Sequence, residues 1–233
     1  MQAIMETIFD FAYLAAVITM GALMCVNSKQ NRALRLFGIM ALILGCGDAF
    51  HLLPRAYSLI TGTMDENVAA LGFGKLVTSV TMTVFYVILY HFFGLRYKNV
   101  VRTPLTVSVY VLAGARISLC LFPQNDWFSA EAPLSWGIYR NIPFVVLGVI
   151  LICVSFTAAR KNADRRFRNC WLAILLSFAF YVPVVLWADA VPPIGMLMIP
   201  KTLCYVWLVL MGFGEFRNPA ASRGAAKKLR KND

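Results

Sequence analysis

The chain has 233 residues, of which 60% are hydrophobic and 14% charged, and its formal net charge is +11. Soluble domains run near 45–50% apolar and about 25% charged, so an ordinary soluble domain is excluded. The surplus of base would suit nucleic acid. Here, however, 17 of the 22 basic residues fall in alternate connections between apolar blocks and in the tail after the last one, a distribution set by a membrane rather than by a nucleic-acid surface.

Seven apolar blocks occupy 8–26, 36–54, 68–94, 103–122, 140–159, 169–188 and 192–214. Each is close to the roughly 20 residues that cross about 30 Å of hydrocarbon as a helix. The runs are continuous rather than alternating, so helices are expected and barrel strands are not. The sequence therefore predicts an all-α polytopic membrane protein: a seven-helix transmembrane domain over 1–216, then a basic tail over 217–233.

The first block carries Asp10 and Tyr13. No Lys or Arg precedes it, so it is expected to remain as a span rather than act as a cleaved signal. Lys29, Arg32 and Arg35 separate it from the second block, where Asp48, His51 and Arg55 stand at i, i+3 and i+7 on one face. In the third block Lys75, Thr78, Ser79 and Tyr86 share a face, and His91 near its end reads as an interfacial residue. Arg96, Lys98 and Arg102 lead into the fourth block, whose Arg116 is expected to snorkel to its boundary. The fifth block opens on Arg140, close enough to a boundary to snorkel as well, and Pro143 is expected in its first turn. Arg160, Lys161, Arg165, Arg166 and Arg168 follow it. The sixth block aligns Ser177 with Tyr181, and Asp189 falls at its far end, loosely on the same stripe. Pro192-Pro193 makes the turn into the seventh, where Pro200 is expected to bend the helix just before Lys201, with Tyr205 one turn on.

Of the 22 Lys and Arg, 17 lie in alternate connections and in the tail, all on one side of the seven-span layout. By the positive-inside rule that side is cytoplasmic, so the N-terminus is expected outside and the protein in the cell inner membrane as a multi-pass chain. The other side carries Glu6, Asp10, Asp65, Glu66, Asp126, Glu131 and Asp189.

The five remaining cations, Arg55, Lys75, Arg116, Arg140 and Lys201, belong to five different spans and lie toward the acidic side. An ionisable group at the centre of a span costs at least about 2.5–3.5 kcal/mol, so such groups face a protein interior or a wet cavity. Lys201, about ten residues into the last block, is the strongest candidate, since snorkelling from that depth is difficult. Arg55, Lys75, Arg140, Tyr181, Asp189, Lys201 and Tyr205 are the expected ligand-binding set, in a pocket in the outer half of the membrane. Cations outnumber acids there, so an anionic amphiphile is the expected guest and membrane lipids are the expected neighbours. The alternative is a structural ion-pair network, with Asp48 paired to Arg55 or Lys201 and Asp189 to Arg140 or Arg55. Six cysteines without a C-x-x-C pair and two distant histidines imply neither a disulfide framework nor a metal site, and no cofactor is expected.

Gly47-Asp48-Ala49-Phe50 followed by Leu52-Leu53-Pro54 resembles the Gly-Asp-centred transmembrane motif of the lysoplasmalogenase-like family. The last span, from Pro193 and Gly195 through Tyr205 to Gly212, is loosely similar, so the resemblance covers two spans at most. It implies hydrolysis of a vinyl-ether lysophospholipid, with Asp48 as the carried-over general acid. His51, one turn away, would orient water. Two other readings use the same residues. One is a non-catalytic binding or transport protein for an anionic amphiphile. The other is a photoreceptor with retinal on Lys201 and Asp48 as counter-ion.

Overall fold

The computed structural model describes residues 2–97, 100–188 and 190–218. Seven α-helices follow one another: α1 (Gln2–Asn27), α2 (Arg32–Thr61), α3 (Val68–Arg96), α4 (Thr103–Leu121), α5 (Leu134–Lys161), α6 (Cys170–Trp187) and α7 (Met198–Arg217). Short 3-10 segments at Pro123–Asn125 and Pro192–Leu197 precede α5 and α7. All seven helical stretches are long and apolar enough to cross a membrane, and no strand occurs among the described residues. A multi-pass membrane protein is the resulting architecture. Asp189 and all but two residues of the basic segment 217–233 lie outside the described residues.

Helices adjacent in sequence are adjacent in space, which short connections enforce. α3 sits against α2, α4 and α5, while α7 closes the bundle onto α1, α2 and α6. α1 and α2 approach closely because glycines face each other across their contact. A Cβ built at Gly38 would stand 2.9 Å from the carbonyl oxygen of Gly21, so any larger residue there forces the helices apart. Asn31 caps α2 by accepting a hydrogen bond from the Leu34 amide at 3.1 Å.

Two helix starts differ from the sequence reading in ways that move a named residue. α5 begins at Leu134, six residues before the expected block, so Pro143 lies inside the helix instead of in its first turn. α7 begins at Met198, so Pro200 occupies the first turn, where its missing N–H costs little, and it does not bend the helix interior. Lys201 accordingly stands at the start of α7, behind a 3-10 segment, rather than about ten residues into a continuous helix.

The two ends of the bundle are chemically distinct. At the arginine-rich end, Arg96 of α3 donates from Nε to Asp164 at 2.7 Å and from Nη1 to Glu215 of α7 at 2.8 Å. The Tyr97 hydroxyl donates to the same Asp164 carboxylate at 2.7 Å, and the Arg96 guanidinium lies 4.6 Å from the centre of the Phe167 ring. Asp164 also accepts from the amides of Arg166 and Phe167, organising the α5–α6 turn. One arginine thus ties α3, the α5–α6 connection and α7 together.

Burial pushes the Asp164 carboxyl up, but the Arg96 guanidinium and the Tyr97 hydroxyl outweigh it and hold the group below its ordinary 3.8. A carboxyl depressed on folding stabilises the fold at pH above its unfolded value and loses that contribution as pH falls through the folded one. Melting temperature is therefore expected to be flat above the ordinary carboxylate range and to drop below it. In Asp164→Asn that acid step should disappear. An unchanged acid step in the variant would assign it to other carboxyls.

Candidate functional site

A cluster of buried and half-buried polar side chains drawn from every helix extends from the middle of the bundle toward the end remote from the arginine-rich one. It is built around aromatic rings. Tyr86 of α3 packs on Phe144 of α5 and Phe178 of α6, with centroids 5.2 and 5.6 Å away. Its hydroxyl is 3.4 Å from both Ser177 Oγ and Tyr205 Oη. Tyr181 donates to Asn141 Oδ1 at 3.0 Å, and Tyr13 of α1 donates to Asp48 of α2 at 2.6 Å. Of these residues Tyr13, Tyr86, Ser177 and Tyr205 are buried.

Two cations enter this cluster. Lys201 is 9% exposed; its Nζ lies 4.8 Å from the Tyr181 ring centre, 5.7 Å from that of Tyr205 and 4.0 Å from Met198 Sδ. It is within electrostatic reach of Asp48 and Arg116, but forms no ion pair among the described residues. Arg116 of α4 is only 2% exposed. Its guanidinium carbon sits 3.2 Å from the centre of the Phe144 ring, beside Cys120, and Nε and Nη1 have no hydrogen-bond partner among the described residues.

Arg116 corrects the sequence reading. Snorkelling would place its guanidinium at the helix end, whereas it points into the bundle. The signal was present in the spacing of α4. Val109, Ala113, Arg116 and Cys120 form its buried face, at successive steps of four, three and four residues. An arginine on a stripe of small residues faces the interior, since those residues mark the side where neighbouring helices come close.

The remaining candidates divide. Tyr181, Lys201 and Tyr205 stand together in the cluster, with Asp48 at its α1–α2 edge. Arg55 does not pair with Asp48. It pairs with Glu6 of α1 at 3.0 Å, a partner outside the stripes read from the sequence, because α1 extends to the bundle end beside it. Lys75 is exposed on the surface of α3. Arg140 donates to Asn125 Oδ1 at 2.8 Å and lies over the Trp127 ring, with 4.2 Å to its centre. Since Asn125 in turn holds the carbonyls of Leu119 and Phe122 with its amide, Arg140 fastens the α4–α5 connection. His91 bonds to Tyr110 at 2.7 Å, well away from this cluster.

A pocket of about 60 Å³ opens at the same end between α1, α2 and the 3-10 turn before α7. Glu6, Asp10, His51, Arg55, Met198 and Thr202 are among its walls. His51 Nδ1 is buried without a hydrogen-bond partner among the described residues. Met198 lines this pocket on one side and touches Lys201 on the other. A thioether on three rotatable bonds thus stands between the pocket and Lys201.

No cluster of His, Cys, Asp and Glu able to hold a metal occurs among the described residues. No protein-family model, curated protein or solved structure matches the chain.

Proposed function

We propose that the chain binds the anionic head of an amphiphile at Arg116 and Lys201, within the membrane-spanning bundle. The observation that carries the reading is the buried Arg116 guanidinium, two of whose nitrogens have no hydrogen-bond partner among the described residues. A charged group in a low-dielectric interior is retained at considerable cost unless something pairs with it. Asp48, the carboxylate within the cluster, already accepts the Tyr13 hydroxyl, so two cations face one occupied acid. A guanidinium with unpartnered N–H donors suits a carboxylate or phosphate, and a nearby ammonium adds charge without demanding geometry. Access is through the pocket beside Met198. Extraction and mass spectrometry of the purified protein should recover an anionic amphiphile. Recovery only of the bulk lipid mixture, in bulk proportions, would count against the site.

The arginine-rich end is assigned to the cytoplasm of a cell inner membrane, which puts the site in the outer half of the bilayer. A membrane-impermeant thiol reagent should label a cysteine placed at Asp65 or Asp126 in intact cells, and not one at Arg165. Labelling at Arg165 would invert the assignment.

One observation favours a second reading, hydrolysis of a vinyl-ether lysolipid. Asp48 holds a short bond with Tyr13 in an apolar setting, and the unpartnered His51 nitrogen sits one turn along the same helix. Asp48 would protonate the vinyl carbon. Water, oriented by His51, would add to the oxocarbenium ion and give up a proton, and the hemiacetal would part into aldehyde and alcohol. The lysoplasmalogenase-like resemblance supports this chemistry over two spans. Asp48→Asn should lower turnover of a vinyl-ether lysolipid by roughly 100-fold or more while the fold persists. Absence of turnover by the parent protein would leave the binding reading alone.

A further inference from the structure

A second anionic site is written into the opposite, arginine-rich end, apart from the buried cluster. An open groove of about 470 Å³ lies there between α7 and the α5–α6 connection, lined by Arg165, Arg166, Trp207, Leu210 and Met211. The charges around it are unevenly shared. The two acids close to these arginines, Asp164 and Glu215, are both taken by Arg96, at 2.6 and 2.7 Å. Arg165 and Arg166 have no ion pair among the described residues. The groove therefore carries two guanidinium groups and no available carboxylate.

Its apolar wall has a direction. Leu203, Trp207, Leu210 and Gly214 follow one face of α7 at steps of four, three and four residues. Leu203 and Leu210 are exposed. The stripe runs about 16 Å along the helix at 1.5 Å per residue, a substantial part of one leaflet of the hydrocarbon. At its basic end Gly214 leaves room for Arg166. A Cβ there would stand 2.5 Å from Arg166 Nη1, so any side chain at 214 would push the guanidinium off the helix. Trp207 lies between Leu210 and Leu203, near the middle of α7, so its ring belongs to the apolar part of the groove.

We propose that this groove is a binding site for an anionic phospholipid. The phosphate is held by Arg165 and Arg166, the glycerol lies beside Gly214, and an acyl chain runs along Leu210, Trp207 and Leu203. Basic grooves between helices at a membrane surface hold acidic head groups in this manner. A free phosphate would use the guanidinium groups but not the apolar stripe, which is why a lipid is the better occupant.

The test uses the full chain in nanodiscs of phosphatidylcholine containing either brominated phosphatidylglycerol or brominated phosphatidylcholine. Bromine quenches nearby indoles, and subtracting the Trp207→Phe signal isolates the tryptophan in the groove. Phosphatidylglycerol is expected to occupy the site about 30-fold more strongly than phosphatidylcholine, a factor of about five for each arginine near the surface anion. Arg165→Gln should remove about one such factor, and R165Q/R166Q should abolish the preference. Lys161→Gln, close by but outside the groove, should preserve it. Equal quenching by the two lipids would overturn the proposal, as would a preference that survives in R165Q/R166Q. Displacement of the brominated phosphatidylglycerol by inorganic phosphate would also overturn it, in favour of a soluble anion. Arg165 is exposed and outside the Arg96 network, so its single variant stays informative even if the double variant does not fold.

Discussion

Replacing Arg116 with methionine is expected to weaken retention of an anionic amphiphile by roughly 10- to 150-fold, the range corresponding to about 1.5–3 kcal/mol for hydrogen bonds to a charged group. The same change should leave the melting temperature of the ligand-free protein unchanged or raise it. Few substitutions of a buried polar residue behave this way. Loss of stability normally follows because a partner is stranded, yet Arg116 Nε and Nη1 strand none among the described residues. Methionine fills much of the same space, keeps contact with Phe144 and removes a charge from the apolar interior. The lost cation–π contact works in the other direction, by about 2 kcal/mol for a desolvated pair, against the larger cost of holding a charge in the apolar interior. Lys201→Met should also weaken retention. The depth argument from sequence ranked Lys201 well above Arg116; the structure makes the two comparable or reverses the order. Titrating each variant with lysophosphatidylglycerol in detergent, alongside thermal melts, separates the effects. Arg116→Met with full retention and a lower melting temperature would show the arginine to be part of the packing only.

Arg96→Met is expected to be the most destabilising single change at the other end, costing about 3–5 kcal/mol. Side-chain exposures of 15% for Arg96 and of 11% and 10% for Asp164 and Glu215 place all three largely out of water. Removing the arginine leaves two carboxylates close together with no counter-charge, and it releases α3 from the α5–α6 connection and from α7 at once. For a chain of this size the loss should lower the melting temperature by roughly 6–20 °C, at about 2–4 °C for each kcal/mol. Adding Asp164→Asn and Glu215→Gln to Arg96→Met should restore a large part of it, since neutral amides can bond to each other without a cation. Arg96→Lys should recover less than that triple variant, because one ammonium cannot reach both acids with the fork geometry of a guanidinium. A single variant that melts like the parent would mean that these ion pairs are solvated in the membrane-bound protein and contribute little.

How far the sequence alone reached follows from what kind of information each feature carries. Seven helices were legible because membrane spanning is a local property. About 20 apolar residues in a row can satisfy their backbone in lipid only as a helix, whatever surrounds them. The grouping of Tyr181, Lys201 and Tyr205 was also within reach, since a buried lysine and helical spacing restrict which residues can meet it. Partners between helices were not. Glu6 was counted among the acids of one side, and only the extension of α1 to Gln2 brings it to Arg55. Asp164 and Glu215 lie 68 and 119 positions from Arg96, separations that no periodicity links.

Arg116 shows the division most clearly. Its sequence position, near the end of an apolar block, is compatible with snorkelling, and hydropathy has no means of telling a side chain that turns outward from one that turns in. The direction is settled by rotation of α4 about its axis, which is set by how Val109, Ala113 and Cys120 pack against the neighbouring helices. Sequence by itself determined which segments are apolar enough to cross the membrane and where the ionisable groups reside along each of them, because those follow from the solvent a residue must face. The tertiary structure decided which charges compensate one another, as with Arg96, and which meet no carboxylate among the described residues, as with Arg116. Pairing depends on distances of a few ångströms between helices, and these exist only once the bundle has packed.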